Sequence, residues 1–398
     1  MTKLKIALVH AYAWPEVRRG GERLVDDLTN YLRAADHRVD VYCGTKGESR
    51  FHTGAQGRNY RLHVPTIRAL ERRGIGRIES FGLRALAPLL LHRYDIVHAF
   101  TPTAALAAVA AGQPTVYTVI GHPTVASLAD RRLQRTTLGR AVGASTEVAV
   151  LSRSAAAALE EAFGRRPLIL PPGVPVSRFE LNPEPRTGPP RLLFSADLAN
   201  PDKGLPVLLS AFAQILARHP GARLALSGPG TPDRAFRQAP DAWARIESSV
   251  DVLGTGAVGE VPDRYRSAHV TVLPSRDEAF GIVLVESLAS GTPVVGGMPG
   301  GAEDIITPEV GRLVPSGDVE ALATAIDECI ALAADASIPQ RCWTAARTWD
   351  WSVVGPRYEA VYASLAGRRR PPGLALLRRT SVKRDARAAP SAARPTPS

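Results

Sequence analysis

The sequence predicts an α/β protein made of two doubly wound, Rossmann-like domains facing each other across a cleft. Three observations carry that prediction. The chain has 398 residues, more than one hydrophobic core of about 150 residues ordinarily holds. Short apolar runs alternate with helix-period segments in two separate series, the pattern of βαβ units around parallel sheets. Between the series, residues 171–190 concentrate Pro and Gly in a stretch too rigid and polar for either kind of element.

The first series opens with Lys5-Ile-Ala-Leu-Val9, a buried strand, and an amphipathic helix over Glu22–Ala34. Arg38–Tyr42, Asp95–Ala99, Thr115–Val119, Glu147–Leu151 and Leu168–Leu170 read as further strands. After the Pro-rich break, Arg191–Ser195 is a strand, Leu205–Arg218 a helix and Ala222–Ser227 a strand. Val270–Leu273 (strand), Ile282–Ala289 (helix), Thr292–Val295 (strand) and Val319–Ala333 (helix) complete the second series. Trp349-Asp-Trp351 and the apolar-periodic Val353–Leu365 predict a terminal helix. In such sheets ligands bind beyond the carboxyl ends of the strands, so two facing domains place a site between them.

Composition removes several classes. Hydrophobic residues are 45% and charged residues 22% of the chain, which excludes a disordered or fibrous protein. Cys43, Cys329 and Cys342 stand far apart, without C-x-x-C, which argues against a disulfide scaffold or zinc module and fits a reducing cytoplasm. The apolar run before His10 is shorter than the ~7 residues an export signal needs. Residues 96–129 carry no charge, but Pro102, Gly112, Pro114, Gly121 and Pro123 cut them into pieces too short to span a membrane. Of the net charge of +11, residues 368–398 hold +8, with nine Lys/Arg against Asp385. The other 367 residues carry only +3, so the chain is not read as a nucleic-acid binder. The tail has no aromatic residue or sustained apolar face and is expected to be disordered. Arg61–Arg93 is a second basic region, with seven Arg against Glu71 and Glu79 and interleaved Leu, Ile and Phe. It is either a solvated Arg-rich helix or an amphipathic surface for anionic lipid.

The densest chemical signal runs from Pro274 to Asp304 as strand, polar loop, helix, strand and Gly-rich loop. Glu278 falls in the loop, and Glu286 eight residues on, about two turns down the helix. The amides of Phe280, Gly281 and Ile282 at that helix N-terminus form a ready anion site. A carboxylate beside an anion pocket suits a polyhydroxylated ligand bearing phosphate.

This string resembles the E-x7-E signature of retaining GT-B glycosyltransferases, the family of glycogen and sucrose synthases and bacterial phosphatidylinositol mannosyltransferases. Arg19-Gly-Gly-Glu22 resembles the family's first phosphate loop, and Asp95–His98, Gly121-His122 and Leu151-Ser152 fall where comparable motifs lie. Pro172-Gly-Val174 is similar to its hinge entry, Asp202-Lys-Gly204 to its "KG" loop and Gly311–Val314 to its closing "G-x-L-V". The resemblance runs through residues 5–365 in order and implies a metal-independent, cofactor-free transfer of a hexosyl group from a nucleotide-diphosphate sugar with retention. It implies an acceptor-side domain over 1–180, a nucleotide-sugar domain over 181–348, a helix over 349–367 crossing back, and a basic tail over 368–398. Catalytic roles fall on Glu278 (donor sugar), His122 (near the transferred sugar) and Lys203 (diphosphate). Glu286 would hold the ribose, while Gly20, Gly21, Phe280, Gly281 and Ile282 would line the donor phosphates. A UDP-sugar donor is favoured by frequency in the family, with a GDP-mannose-dependent enzyme acting on a membrane lipid as the alternative. The expected location is cytoplasmic, with an anionic inner membrane face as candidate surface.

One departure stands out. The family's "G-R-L-x-x-x-K-G" puts Arg six residues before the phosphate Lys, whereas Asp197 stands here. The expectation is that Asp197 turns away onto a basic side chain while Arg18, Arg19 or Arg276 supplies the missing charge; otherwise the chain is a degraded, nucleotide-sugar-binding relative. A nicotinamide oxidoreductase would need G-x-G-x-x-G after the first strand, which His10–Gly21 lacks. A glycosyl phosphorylase would need a much longer chain and a cofactor-bearing Lys.

Overall fold

Most of the apolar runs lie inside parallel sheets, covered by helices on both faces, whereas the Leu168–Ile169 run forms an exposed edge strand. The computed structural model describes residues 2–45, 47–64, 76–129 and 131–367. Among these, the first domain holds β1 (Lys5–His10), β2 (Arg38–Thr45), β3 (Arg50–Gly54), β4 (Gly57–His63), β5 (Ile96–Ala99), β6 (Thr115–Val119), β7 (Glu147–Val150) and β8 (Leu168–Ile169) in one sheet of order β3-β4-β2-β1-β5-β6-β7-β8. Its helices are α1 (Gly20–Ala34), α2 (Arg77–Leu91), α3 (Pro102–Ala110), α4 (Val125–Leu128), α5 (Arg132–Ala144) and α6 (Arg153–Phe163). The second sheet takes β9 (Arg191–Ser195), β10 (Arg223–Ser227), β11 (Val250–Gly254), β12 (Val270–Leu273), β13 (Val294–Met298) and β14 (Gly311–Pro315) in the order β11-β10-β9-β12-β13-β14. Around it lie α7 (Leu205–Arg218), α8 (Asp233–Gln238), α9 (Pro240–Ile246), α10 (Val261–Arg266), α11 (Ile282–Ala289), α12 (Ala302–Ile305), α13 (Val319–Ala333) and α14 (Ile338–Arg347).

Strand order reverses between β1 and β5 in one sheet and between β9 and β12 in the other. Doubly wound sheets open a crevice at such switch points, so the loops after β1, β9 and β12 are where ligand-binding residues converge. Helix ends follow local chemistry. Ser152 caps α6 by accepting from the Ala155 amide, and Gly164 closes it in the left-handed conformation. Asp318 caps α13 through the Ala321 amide.

The final helix, α15 (Trp351–Leu365), follows the second domain but packs on the first. Asp350 caps it by accepting from Ser352 and also takes the Val176 amide, tying the helix start to the hinge. Tyr358 donates to the Leu170 and Pro171 carbonyls, and Trp351 stacks on Tyr31 of α1 at 5.6 Å. Tyr362 meets His98 Nδ1 at 2.6 Å, and His98 Nε2 lies 2.7 Å from Thr118. Burial lowers that imidazole to about 3, so it is neutral and its two nitrogens serve one donor and one acceptor.

Several elements differ from the sequence reading. The β3–β4 antiparallel hairpin was not anticipated, because β3 is exposed throughout and most residues of β4 are polar. The Arg61–Arg93 region is not one element: Arg61 sits in β4, residues 65–75 lie outside the described residues, and only 77–91 is helical. In α2, Phe81, Ala85 and Leu89 are buried while Leu83, Leu90 and Leu91 face solvent. Residues 368–398 also lie outside the described residues. No helix among those described is long and apolar enough to cross a membrane, and the three cysteines are buried thiols.

Candidate active site

The loop from Pro274 to Gly281 leaves β12 at the switch point and is positioned by two glycines. A Cβ on Gly204 would lie 2.2 Å from the Pro274 carbonyl oxygen, and one on Gly301 2.4 Å from Phe280 Cα. Only bare Cα atoms allow those approaches. The Gly301 amide then donates to the Glu278 carbonyl at 2.7 Å, pinning the loop from behind. Gly204, in the left-handed conformation, closes the short turn that carries Lys203. As a result Lys203 Nζ lies 2.8 Å from Glu278 Oε2. Burial alone would push the Glu278 carboxyl up; the Lys203 ammonium, aided by the Phe280 amide, instead holds it below the usual carboxylate range. Phe280 stands two residues before α11. Its ring is buried 5.0 Å from Trp349.

Glu286 is 2% exposed in the second turn of α11. Tyr265 donates to its Oε2 at 2.7 Å, and burial with the nearby carboxylate pushes that phenol well up, so it stays a donor. The other oxygen takes a guanidinium N–H from Arg23, which belongs to α1 in the facing domain. Arg23 Nε also lies 3.5 Å from Asp27, and its head is 5.9 Å from the Trp14 ring. Asp27 in turn accepts from Arg178 at 3.2 Å. The domains thus meet through a chain of buried and half-buried charges.

Gly20 and Gly21 open α1 on the first-domain wall, and a Cβ on Gly20 would sit 3.6 Å from Ile282. Behind them His10 Nε2 and Glu22 Oε1 form a buried contact at 3.3 Å. His122 follows β6; its Nε2 meets Ser154 Oγ at 2.9 Å and its Nδ1 lies 3.8 Å from Asp277. Burial lowers its pKa although Asp277, Glu278 and Glu303 pull the other way, which leaves a neutral ring. Arg18 donates to the Gly256 carbonyl across the cleft at 2.7 Å, and Arg153 pairs with Asp304 at 2.5 Å.

Together these walls enclose a cleft of about 900 Å³, within the size range of small-molecule sites. Glu278, Lys203 and Glu286 line it with Gly20, Gly21, Phe280, Gly281 and Ile282, and so do Arg19 and Asp197. Arg276 does not; it is exposed, and its amide donates to the Asp202 carbonyl. His122 is not among the lining residues, and neither is Asp277 beside it. The expectation for Asp197 needs correction: its Oδ1 accepts from the Ala199 amide at 3.1 Å, and no basic side chain pairs with it among the described residues. A backbone amide two residues on satisfies the carboxylate locally, as Asp commonly does in turns. Sequence reasoning also missed Arg23 and Tyr265, whose contacts with Glu286 link positions far apart in the chain.

Comparison with known proteins agrees with this geometry. The family model for glycosyl transferases group 1 matches residues 178–349, and that for glycosyltransferase family 4 matches residues 18–178. A GDP-mannose-dependent alpha-(1-6)-phosphatidylinositol monomannoside mannosyltransferase of Mycolicibacterium smegmatis is 29% identical over 391 residues, covering 88% of this chain and 96% of that protein. A phosphatidyl-myo-inositol mannosyltransferase of Mycobacterium tuberculosis is 32% identical over 218 residues, covering 52% of this chain and 56% of that protein; that match spans about half of the relative's length. Among solved structures, sucrose-phosphate synthase from Thermosynechococcus elongatus superposes with a TM-score of 0.76 at 20% identity, covering 91% of this chain and 99% of that one. The WaaG glycosyltransferase of lipopolysaccharide biosynthesis gives 0.69 at 19%, covering 91% and 100%. Two facing Rossmann-like domains, consecutive family matches and these likenesses lead to one conclusion: the chain is a GT-B glycosyltransferase.

Proposed function

We propose that the protein transfers a hexosyl group, with retention, from a nucleotide-diphosphate sugar held in the cleft to a lipid acceptor approaching from the first domain. The observation that carries this reading is the Lys203–Glu278 contact in the loops at the second-domain switch point, with Glu286 in the second turn of the helix that follows. Lys203 and the amides at the start of α11 meet the charge that grows on the diphosphate as the C1–O bond breaks. Glu278, kept ionised, faces the sugar and its developing positive charge, and Glu286 accepts from the ribose hydroxyls. His122, neutral, can accept or donate a hydrogen bond to the sugar side without adding charge. In this reading the leaving group's charge is met by protein groups rather than by a metal.

GDP-mannose is the donor supported best, because the relative matched along nearly its whole length carries that donor in its name. The same name supports a phosphatidylinositol-based acceptor. Exposed Leu83, Leu90 and Leu91 on α2, with Arg84 beside them, support docking of the first domain on a membrane surface. The test is a donor panel: release of nucleoside diphosphate from GDP-mannose and from UDP-glucose, with and without phosphatidylinositol vesicles. Lipid-stimulated turnover of GDP-mannose supports the reading. A preference for UDP-glucose restores the expectation drawn from the sequence, and turnover of neither, with binding intact, favours a degraded enzyme.

A further inference from the structure

Asp197 puts a carboxylate where a phosphate-facing cation is expected, and a guanidinium reaches into the cleft from the opposite wall. Lys203 is a single positive charge already engaged with Glu278, and Asp197 adds a negative charge to the same wall. Most other arginines at the site are committed. Arg18 donates to the Gly256 carbonyl. Arg178 pairs with Asp27. Arg264 bonds Ser227, the Gly254 carbonyl and Glu260. Arg276 lies outside the lining, and Arg19 is exposed at the start of α1.

Arg23 differs from all of these. It stands one turn below Gly20, its side chain is 18% exposed, and its guanidinium crosses the cleft to Glu286. It therefore engages the carboxylate that the ribose hydroxyls would need. A ribose hydroxyl that donates to Glu286 takes the place of the Arg23 N–H, and the guanidinium, still steadied at Nε by Asp27, then has its terminal N–H groups to offer beside the phosphates. Guanidinium groups recognise phosphate in bidentate fashion, and their planar fork makes a second acceptor easy to serve.

We propose that Arg23 is the second donor-phosphate cation, paired with Glu286 in this structure and turned to the diphosphate when the nucleotide's ribose takes that carboxylate. The charge absent at position 197 is thus supplied from the other domain. Grip on the diphosphate, unlike grip on the nucleoside, then requires the two domains to be apposed. This inference rests on the nucleotide-sugar reading above.

Calorimetry on the full chain tests it, with guanosine, GDP, uridine and UDP as probes. The parent should bind the diphosphate more tightly than its nucleoside. Arg23→Ala should reduce that ratio by roughly tenfold or more, the range for a charged hydrogen bond, while nucleoside affinity is kept or improved because Glu286 is unmasked. Arg23→Gln, which can still bond Glu286 without a charge, should show the same loss and covers the case in which the alanine variant does not fold. Adding Asp197→Arg to either variant should restore the ratio, and Arg19→Ala should leave it near the parent value. Equal weakening of nucleoside and diphosphate would give Arg23 a merely structural role and overturn the proposal. So would an unchanged ratio, loss of the ratio in Arg19→Ala instead, or failure of Asp197→Arg to rescue a folded variant. A parent that binds none of the probes refutes the donor-site reading itself, and the inference falls with it.

Discussion

Replacing Glu278 by Gln keeps the side chain's shape and removes its charge, which makes it the sharpest perturbation of the site. At the 2.8 Å separation from Lys203, two unit charges attract by about 6 kcal/mol at an effective dielectric near 20. Desolvation and the partial exposure of Lys203 leave a net worth closer to about 1–3 kcal/mol, the range for a charged hydrogen bond. In the parent a diphosphate must share Lys203 with Glu278. In Glu278→Gln it need not, so nucleoside diphosphate should bind as tightly as to the parent or up to about tenfold more tightly. Turnover should move the other way, by a factor on the order of 10²–10³, the usual effect of deleting one preorganised electrostatic group. Calorimetry with the diphosphate and nucleotide-release kinetics read the two quantities separately. Turnover equal to the parent would refute the assignment of Glu278 to the sugar. Tenfold weaker diphosphate binding would show that the carboxylate holds the nucleotide instead.

Other perturbations follow from the same contacts. Glu286→Ala should weaken nucleoside binding by about 1–3 kcal/mol, and Tyr265→Phe, which deletes the 2.7 Å hydrogen bond to that carboxylate, should weaken it by about 1 kcal/mol; calorimetry with guanosine measures both. Chelation of divalent metals should leave nucleotide release unchanged, and loss of activity restored by added metal would contradict the assignment of leaving-group charge to Lys203 and the α11 amides. His98 has its pKa depressed to about 3 from 6.5, so below pH 6.5 the unfolded chain gains a proton that the folded one refuses. Its contribution to stability is complete above that pH and declines as pH falls toward 3, so urea midpoints measured against pH should fall less steeply in a folded His98→Gln variant. Removing residues 368–398, with their net +8, should leave turnover of a soluble acceptor intact and reduce pelleting with anionic vesicles, an effect that 0.5 M salt, at about a 4 Å screening length, should abolish.

How much was legible depended on how local the information was. Runs such as Thr115–Val119, Arg191–Ser195 and Val270–Leu273 coincide with β6, β9 and β12 because a parallel strand buried on both faces is written as a continuous apolar string. Leu205–Arg218, Ile282–Ala289 and Val319–Ala333 likewise coincide with α7, α11 and α13. The hairpin of β3 and β4 escaped because Arg50, His52, Arg58, Asn59 and Arg61 dominate it and the apolar face of β4 is only Tyr60 and Leu62; the Gly54-Ala-Gln-Gly57 turn was the signal available. In the site, Glu278 and Glu286 share one loop and helix, so their spacing drew attention to them, while Lys203 and the roles of all three came from the resemblance to the glycosyltransferase family. The partners of Glu286 could not be read that way. Arg23 is 263 residues away and Tyr265 is 21, and only the apposition of the two domains and the seating of α10 against α11 bring them together. Asp197 was expected to require a cation because a carboxylate facing phosphates is repelled; a backbone amide in its own turn proved a nearer partner.

The central claim is that this cleft transfers a sugar from a nucleotide donor and keeps its anomeric configuration. Incubating the protein with isotope-labelled GDP-mannose and phosphatidylinositol vesicles, and reading the anomeric coupling of the lipid-bound sugar by NMR, tests it most directly. The account predicts a labelled lipid whose new linkage is α, like the donor's. A β-linked product would contradict the retaining mechanism, and a protein that binds the donor by calorimetry yet never labels lipid or releases nucleotide would contradict the claim of catalysis.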